Sequence, residues 1–131
     1  MLNRTTLECG SFGENEACKF LEKKGYKIVS RNFRHSHYEI DIVAEDKESV
    51  VFVEVKTRTA DGDGYNRYGR PARAVDSAKQ KRLIDAAYAY LREHPSKKRP
   101  RLDVIEVYLF RREDGKLEVN KLHHIRNAFG R

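Results

Sequence analysis

Apolar side chains at helical spacing mark two segments of the chain as amphipathic helices. Over residues 11–24 they recur every three to four positions, with a start as early as Thr5 left open, and Gly25 follows as a C-terminal stop. Over residues 76–94 a second apolar stripe has the same spacing, with lysines and arginines on the other faces. The pattern therefore predicts one helix near the N-terminus and another in the second half of the chain.

Runs rich in β-branched and aromatic residues, separated by polar turns, predict strands between and after these helices. The runs are 26–33, 38–45, 50–58, 101–112 and 116–125. Short turns join the first three, which favours an antiparallel meander, and Asp114-Gly115 joins the last two as a hairpin. The predicted order is α-β-β-β-α-β-β, an α/β fold.

Size and charge narrow the class of protein. With 131 residues and 39% hydrophobic residues, the chain predicts a single domain over residues 1–131, a sheet covered by two or three helices. Lys and Arg outnumber Asp and Glu by 27 to 20, and the net charge of +7 favours a polyanionic partner such as nucleic acid. Because no stretch approaches the roughly 20 apolar residues of a membrane span, we expect a cytoplasmic protein without a membrane partner.

One predicted strand carries charged side chains inside an otherwise apolar run. In "VVFVEVKTR", residues 50–58, Glu54 and Lys56 share a face because side chains alternate along a strand. Glu39 and Asp41 share a face of the preceding strand, so pairing of the two strands brings Asp41 beside Glu54 and Lys56. Two carboxylates at close range resist joint ionisation unless a cation lies between them. Oxygen ligands without nearby His or Cys favour Mg²⁺ or Mn²⁺ over zinc.

A hard divalent ion beside a lysine, on a basic protein, is suited to hydrolysis of a phosphodiester. In this interpretation Asp41 and Glu54 are the metal ligands, and Lys56 orients the attacking water or balances developing charge. The sequence therefore predicts nuclease chemistry with Asp41, Glu54 and Lys56 as catalytic residues.

The order of these motifs resembles the PD-(D/E)XK nuclease superfamily, in which an Asp is followed, here after twelve residues, by Glu-x-Lys on the adjacent strand. The stretches "GENEACKFLEKKGY", "YEIDIVAE", "VVFVEVKTR", "SAKQKRLIDAAYAYL" and "RLDVIEV" more closely resemble the YraN-like family (uncharacterised protein family 0102), which is similar to archaeal Holliday-junction resolvases. The resemblance implies a restriction-endonuclease-like core with a mixed central sheet, and a metal-dependent endonuclease role on structured DNA. It adds Glu14 as a catalytic acid from the first helix, and it differs from the superfamily where Ile40 replaces the Pro before Asp41.

Four polar residues around these catalytic candidates have open alternatives. Glu14 also fits a capping box in which Ser11 caps the first helix, although its spacing from the apolar stripe points it toward the core side. Glu39 could bind metal, form a salt bridge or lie near solvent. Gln80 could support the site or simply lie on the helix surface, and the case for Lys79 is weaker. We retain Glu39 and Gln80 as supporting residues.

The acidic cluster also has a structural interpretation. Glu54 and Lys56 could form a simple salt bridge on a half-exposed face, and Asp41 could pair with a surface arginine. The protein would then be a non-catalytic nucleic-acid-binding module of the same fold. A ribosome-associated or scaffolding role rests on charge alone and leaves Glu54 and Lys56 unexplained.

Aromatic and cationic residues alternate in a long loop after the third predicted strand. They could stack on bases and neutralise phosphates, with ordinary solvation as the alternative. The predicted nucleic-acid contacts are Arg58, Tyr65, Arg67, Tyr68, Arg70 and Arg73. Symmetric cleavage of a four-way junction would also require two active sites and hence a homodimer.

Overall fold

A computed structural model describes residues 4–59 and 77–128 of the chain, with side chains from residue 7 onward. In these ranges two helices flank one five-stranded sheet. The elements in chain order are α1 (Arg4–Lys23), β1 (Lys27–His35), β2 (Tyr38–Glu45), β3 (Ser49–Thr59), α2 (Ser77–Glu93), β4 (Arg99–Arg111) and β5 (Leu117–Ile125). The predicted order α-β-β-β-α-β-β is confirmed.

The sheet is mixed, with the strands in their sequence order from β1 to β5. β1, β2 and β3 form the predicted antiparallel meander, and β4 and β5 form the predicted hairpin, with Gly115 in the turn at a φ of +87°. β4 pairs parallel to β3, so that Glu54 lies opposite Val104 and Lys56 opposite Glu106. The connection that contains α2 makes this parallel pairing feasible, because parallel neighbours need a crossover.

Each helix covers one face of the sheet with an apolar stripe. Ala17 and Leu21 of α1 are fully buried in a cluster with Val53 of β3. On the opposite face, Leu83 of α2 is fully buried in a cluster with Phe52. Burial on both faces explains the continuous apolar run at the start of β3. Of the helices that the structure describes, none is long and apolar enough to cross a membrane.

Helix α1 begins earlier than the predicted residue 11. It starts at Arg4, so Ser11 lies inside the helix, and the alternative in which Ser11 caps the helix and Glu14 reaches back to it is wrong. The early start agrees with the alternative that placed it near Thr5. The C-terminal stop is confirmed, since Gly25 adopts a φ of +98°, which favours glycine.

Candidate functional site

The regular alternation of side chains in β2 is interrupted at Asp41. Ile40 packs in the cluster beneath α2, whereas Ile42 packs in the cluster beneath α1. The pairing of β2 with β3 ends at Ile42 opposite Val53. Beyond that point the Asp41 carboxylate accepts a hydrogen bond from the Val55 backbone N–H at 2.7 Å. The carboxylate therefore joins the two strands where their ladder stops.

Glu54 is the centre of a buried polar cluster, with only 6% of its surface exposed. Its Oε1 accepts a hydrogen bond of 2.7 Å from the Tyr38 hydroxyl. Its Oε2 lies 3.2 Å from Lys56 Nζ and 3.3 Å from Lys79 Nζ. Since Tyr38 belongs to β2 and Lys79 to the first turn of α2, Glu54 links two strands and a helix.

Burial and neighbouring charge change the ionisation of this cluster. Burial, the Glu54 carboxylate and, more weakly, Glu14 and Glu39 raise the pKa of Asp41 to about 8, against the lowering effect of the Val55 amide. The Asp41 carboxyl group is therefore largely protonated at neutral pH while no cation is bound. A cation beside the two carboxylates would remove this conflict.

Burial and nearby charge also shift the pKa values of Lys56 and Tyr38, which both contact Glu54. Burial and the neighbouring Lys79 ammonium lower the pKa of Lys56, although Glu54 acts in the opposite direction. Burial and the Glu54 carboxylate raise the pKa of Tyr38, which keeps its hydroxyl a hydrogen-bond donor.

Glu14 and Glu39 lie beside this cluster and are engaged by neighbouring residues. Glu14 Oε1 lies 3.3 Å from the guanidinium of Arg31 and 3.3 Å from the Asn32 side-chain amide. The same amide lies 3.5 Å from Glu39 Oε1. Asn32 has a left-handed φ of +57°, and it joins both acids in one exposed network. Their influence on Asp41 is electrostatic.

The cluster offers two carboxylates, Asp41 and Glu54, as ligands for a hard divalent cation. Within residues 4–59 and 77–128, no three His, Cys, Asp or Glu side chains are grouped so that they could hold a metal ion. Mg²⁺, however, is commonly held by one or two carboxylates together with water and substrate oxygens. Asp41 and Glu54 fit that arrangement if a cation replaces one of the ammonium groups at Glu54 Oε2.

Comparison with known proteins places the chain in a family. The model of the uncharacterised protein family UPF0102 matches residues 13–107. The chain belongs to this family. A UPF0102 relative from Caldanaerobacter subterraneus subsp. tengcongensis is 43% identical over 129 residues, which cover 98% of each protein. Another from Chlorobium phaeobacteroides is 43% identical over 123 residues, which cover 93% of this chain and 94% of the relative.

A solved structure also resembles this UPF0102 chain. It is Pyrococcus furiosus SfsA in complex with Ca²⁺, at a TM-score of 0.46 and 17% sequence identity. The match covers 90% of this chain and 63% of SfsA.

Most of the candidate residues of this UPF0102 member that the structure describes lie at or beside the cluster. Asp41, Glu54 and Lys56 come together, while Gln80 and Arg58 are half-buried in α2 and β3. The predicted loop contacts lie outside the described residues. They are Tyr65, Arg67, Tyr68, Arg70 and Arg73.

Tyr38 and Lys79 both contact Glu54, although the sequence pattern does not single out Tyr38 and favours Lys79 only weakly. Lys79 lies one helical turn before Leu83, which is fully buried, and this spacing could have placed it on the sheet-facing side of α2. No comparable pattern marks Tyr38, because its contact with Glu54 depends on how β2 and β3 pair.

Proposed function

We propose that this protein is a metal-dependent phosphodiester hydrolase that acts on structured DNA, as an endonuclease or resolvase-like enzyme. The observation that supports it best is the half-buried Asp41 carboxyl group, whose pKa is raised by desolvation and by the neighbouring Glu54 carboxylate, with Lys56 Nζ 3.2 Å from Glu54 Oε2. Such perturbed groups are common at catalytic sites. Membership of UPF0102 is compatible with this function and does not define it.

Each residue has a distinct role in the proposal. Asp41 and Glu54 hold Mg²⁺ or Mn²⁺, which when bound polarises a phosphoryl oxygen and lowers the pKa of a bound water. Lys56 orients the attacking water and offsets the negative charge that develops on the phosphoryl group. Tyr38 fixes the orientation of Glu54 through the 2.7 Å hydrogen bond. The Glu14 carboxylate influences the site electrostatically, because it raises the pKa of Asp41.

The charge of the whole chain supports a nucleic-acid substrate. The net charge is +7, and Arg58 lies on β3 two residues beyond Lys56. If about five cations contact phosphates, the logarithm of DNA affinity falls against the logarithm of salt concentration with a slope of about −4 to −5. A slope near zero in a binding titration would contradict a surface that follows the phosphate backbone.

A second candidate function is supported by the interactions that already occupy the Glu54 carboxylate. Both oxygens of Glu54 already have partners, Tyr38 on one and Lys56 and Lys79 on the other. A cluster neutralised in this way could serve only to join α2 to the sheet. The protein would then bind nucleic acid without cleaving it.

A cleavage assay separates the two functions. Labelled linear, flapped and four-way DNA would be incubated with the protein in Mn²⁺ and in chelator. We expect cleavage in Mn²⁺ only, and its loss in Asp41→Asn and Lys56→Met, with Asp85→Asn and Lys81→Met as exposed controls from α2. Cleavage that survives chelator, or that persists at full rate in Lys56→Met, would contradict the hydrolytic mechanism. Binding of DNA without cleavage in any metal would favour the second candidate.

A further inference from the structure

Two ammonium groups reach one oxygen of Glu54 from different elements. Lys56 Nζ and Lys79 Nζ lie 3.2 and 3.3 Å from Glu54 Oε2. The Lys56 side chain, on β3, is 12% exposed, whereas the Lys79 side chain, at the start of α2, is 33% exposed. Because a lysine stem is long and flexible, the more exposed Lys79 can leave Glu54 for solvent more easily than Lys56 can.

A divalent cation that binds Glu54 Oε2 competes with both ammonium groups. An ammonium has only donors, so it cannot become a metal ligand, and its charge repels the cation at such short range. Lys56 is held by its position two residues from Glu54 on the same strand face. Of the two ammonium groups, Lys79 is therefore the one that can move away from Glu54 more easily.

We propose that Lys79 is an exchangeable counter-ion: it holds Glu54 in the metal-free protein, a divalent cation displaces it, and its ammonium then binds a phosphate of the nucleic-acid backbone. The inference rests on the proposed function, and it assigns Lys79 a role in substrate binding. The displaced ammonium stays at the solvent side of the site, since its helix keeps its position on the sheet. There it adds one positive charge where a phosphodiester would approach.

Calorimetric titration of Mn²⁺ at pH 8, without nucleic acid, tests the exchange. Lys79→Met removes the charge and keeps the length of the stem, so we expect it to bind Mn²⁺ about tenfold more tightly than wild type does. Lys79→Arg keeps the charge and should stay close to wild type. Lys81→Met, from an exposed pair with Asp85 on the same helix, is the matched control and should match wild type.

The proposed contact of Lys79 with a backbone phosphate is tested with DNA. Fluorescence anisotropy with a labelled four-way junction, with Ca²⁺ in place of Mn²⁺, would give the affinity at several salt concentrations. For Lys79→Met we expect affinity to fall severalfold and the salt slope to become shallower by about 1. Lys79→Arg should retain most of the affinity.

The Mn²⁺ titration distinguishes a failure of the Lys79 exchange from a failure of the proposed function. If wild type binds Mn²⁺, Asp41→Asn does not, and Lys79→Met binds with wild-type affinity, the exchange is overturned and the metal site stands. If wild type binds no Mn²⁺, the proposed function and the exchange are both overturned. Circular dichroism establishes that each variant is folded, and Lys79→Gln provides the same test if Lys79→Met does not fold.

Discussion

The Asp41 carboxyl group couples protonation to folding. Its pKa is about 8 in the folded protein and 3.8 ordinarily, so the folded state retains a proton that the unfolded state releases between these values. Stability from this group is complete below about pH 4 and is lost as the pH rises toward 8. Deprotonation of Asp41 therefore destabilises the metal-free protein in mild alkali.

Asp41→Asn should reveal this coupling, because the amide imitates the protonated acid at every pH. In chelator, we expect the stability of the variant relative to wild type to increase from pH 5 to pH 8, by up to about 1.4 kcal/mol per pH unit, and to level off above pH 8. Urea unfolding at each pH measures the difference. Asp85→Asn, at an exposed position of α2, should show a difference that does not change with pH. A constant difference for Asp41→Asn would contradict the raised pKa.

The Tyr38 hydroxyl is an uncharged partner of Glu54, whereas Lys56 and Lys79 contact it with ammonium groups. Tyr38→Phe removes its 2.7 Å hydrogen bond and leaves the ring in place. A buried hydrogen bond to a charged acceptor contributes about 1.5–3 kcal/mol, so we expect a loss of about 2 kcal/mol in the free energy of unfolding. Urea denaturation measures it at pH 7.

Tyr88→Phe is the matched control for this change, because Tyr88 is 61% exposed on α2. Its stability should stay within about 0.5 kcal/mol of wild type. Equal losses in the two variants would show that the Tyr38 hydroxyl does not support Glu54.

The contact between α1 and β3 positions the first helix against the strand of the site. Gly13 of α1 lies against Thr57 of β3, and a β-carbon at Gly13 would overlap the Thr57 hydroxyl. Gly13 is therefore needed for close approach rather than for an unusual backbone conformation. This contact also fixes the position of Glu14, the next residue of the helix.

Gly13→Ala should destabilise the protein by about 0.5–2 kcal/mol, because the cost of overpacking, about 1–3 kcal/mol, exceeds the gain in helix propensity. Thermal and urea unfolding measure the loss, and Thr57→Ala in the same chain should restore part of it. Gly10→Ala is the control, since a β-carbon at Gly10 meets nothing within 4 Å. That variant should gain about 0.5–1 kcal/mol from helix propensity. Equal effects of the two alanines would contradict the close packing at Thr57.

Across the whole molecule, local pattern predicted the elements and long-range packing determined the site. The order of the seven elements follows from apolar periodicity and turn residues, and β2 (Tyr38–Glu45) has the predicted limits. The parallel pairing of β3 with β4 depends on how α2 crosses the sheet, which periodicity does not encode.

The candidate site likewise contains residues that local pattern predicts and contacts that only tertiary packing determines. Glu54 and Lys56 stand out in the sequence because they interrupt an apolar strand and share one face. The contact of Asp41 with Val55 arises from broken alternation in β2. The contact of Lys79 with Glu54 depends on how α2 packs against the sheet. These two features come from tertiary packing, so the sequence alone did not predict them.

The most direct test of the central claim is binding of Mn²⁺ by the whole protein in the absence of nucleic acid. Calorimetry at pH 8 should give one Mn²⁺ per chain for wild type and for Asp85→Asn, and no binding heat for folded Asp41→Asn and Glu54→Gln. Binding in wild type should weaken as the pH falls below 8, because Asp41 must lose its proton to become a ligand. Undiminished heat in Asp41→Asn, or the absence of heat in wild type, would contradict a metal centre formed by these two carboxylates.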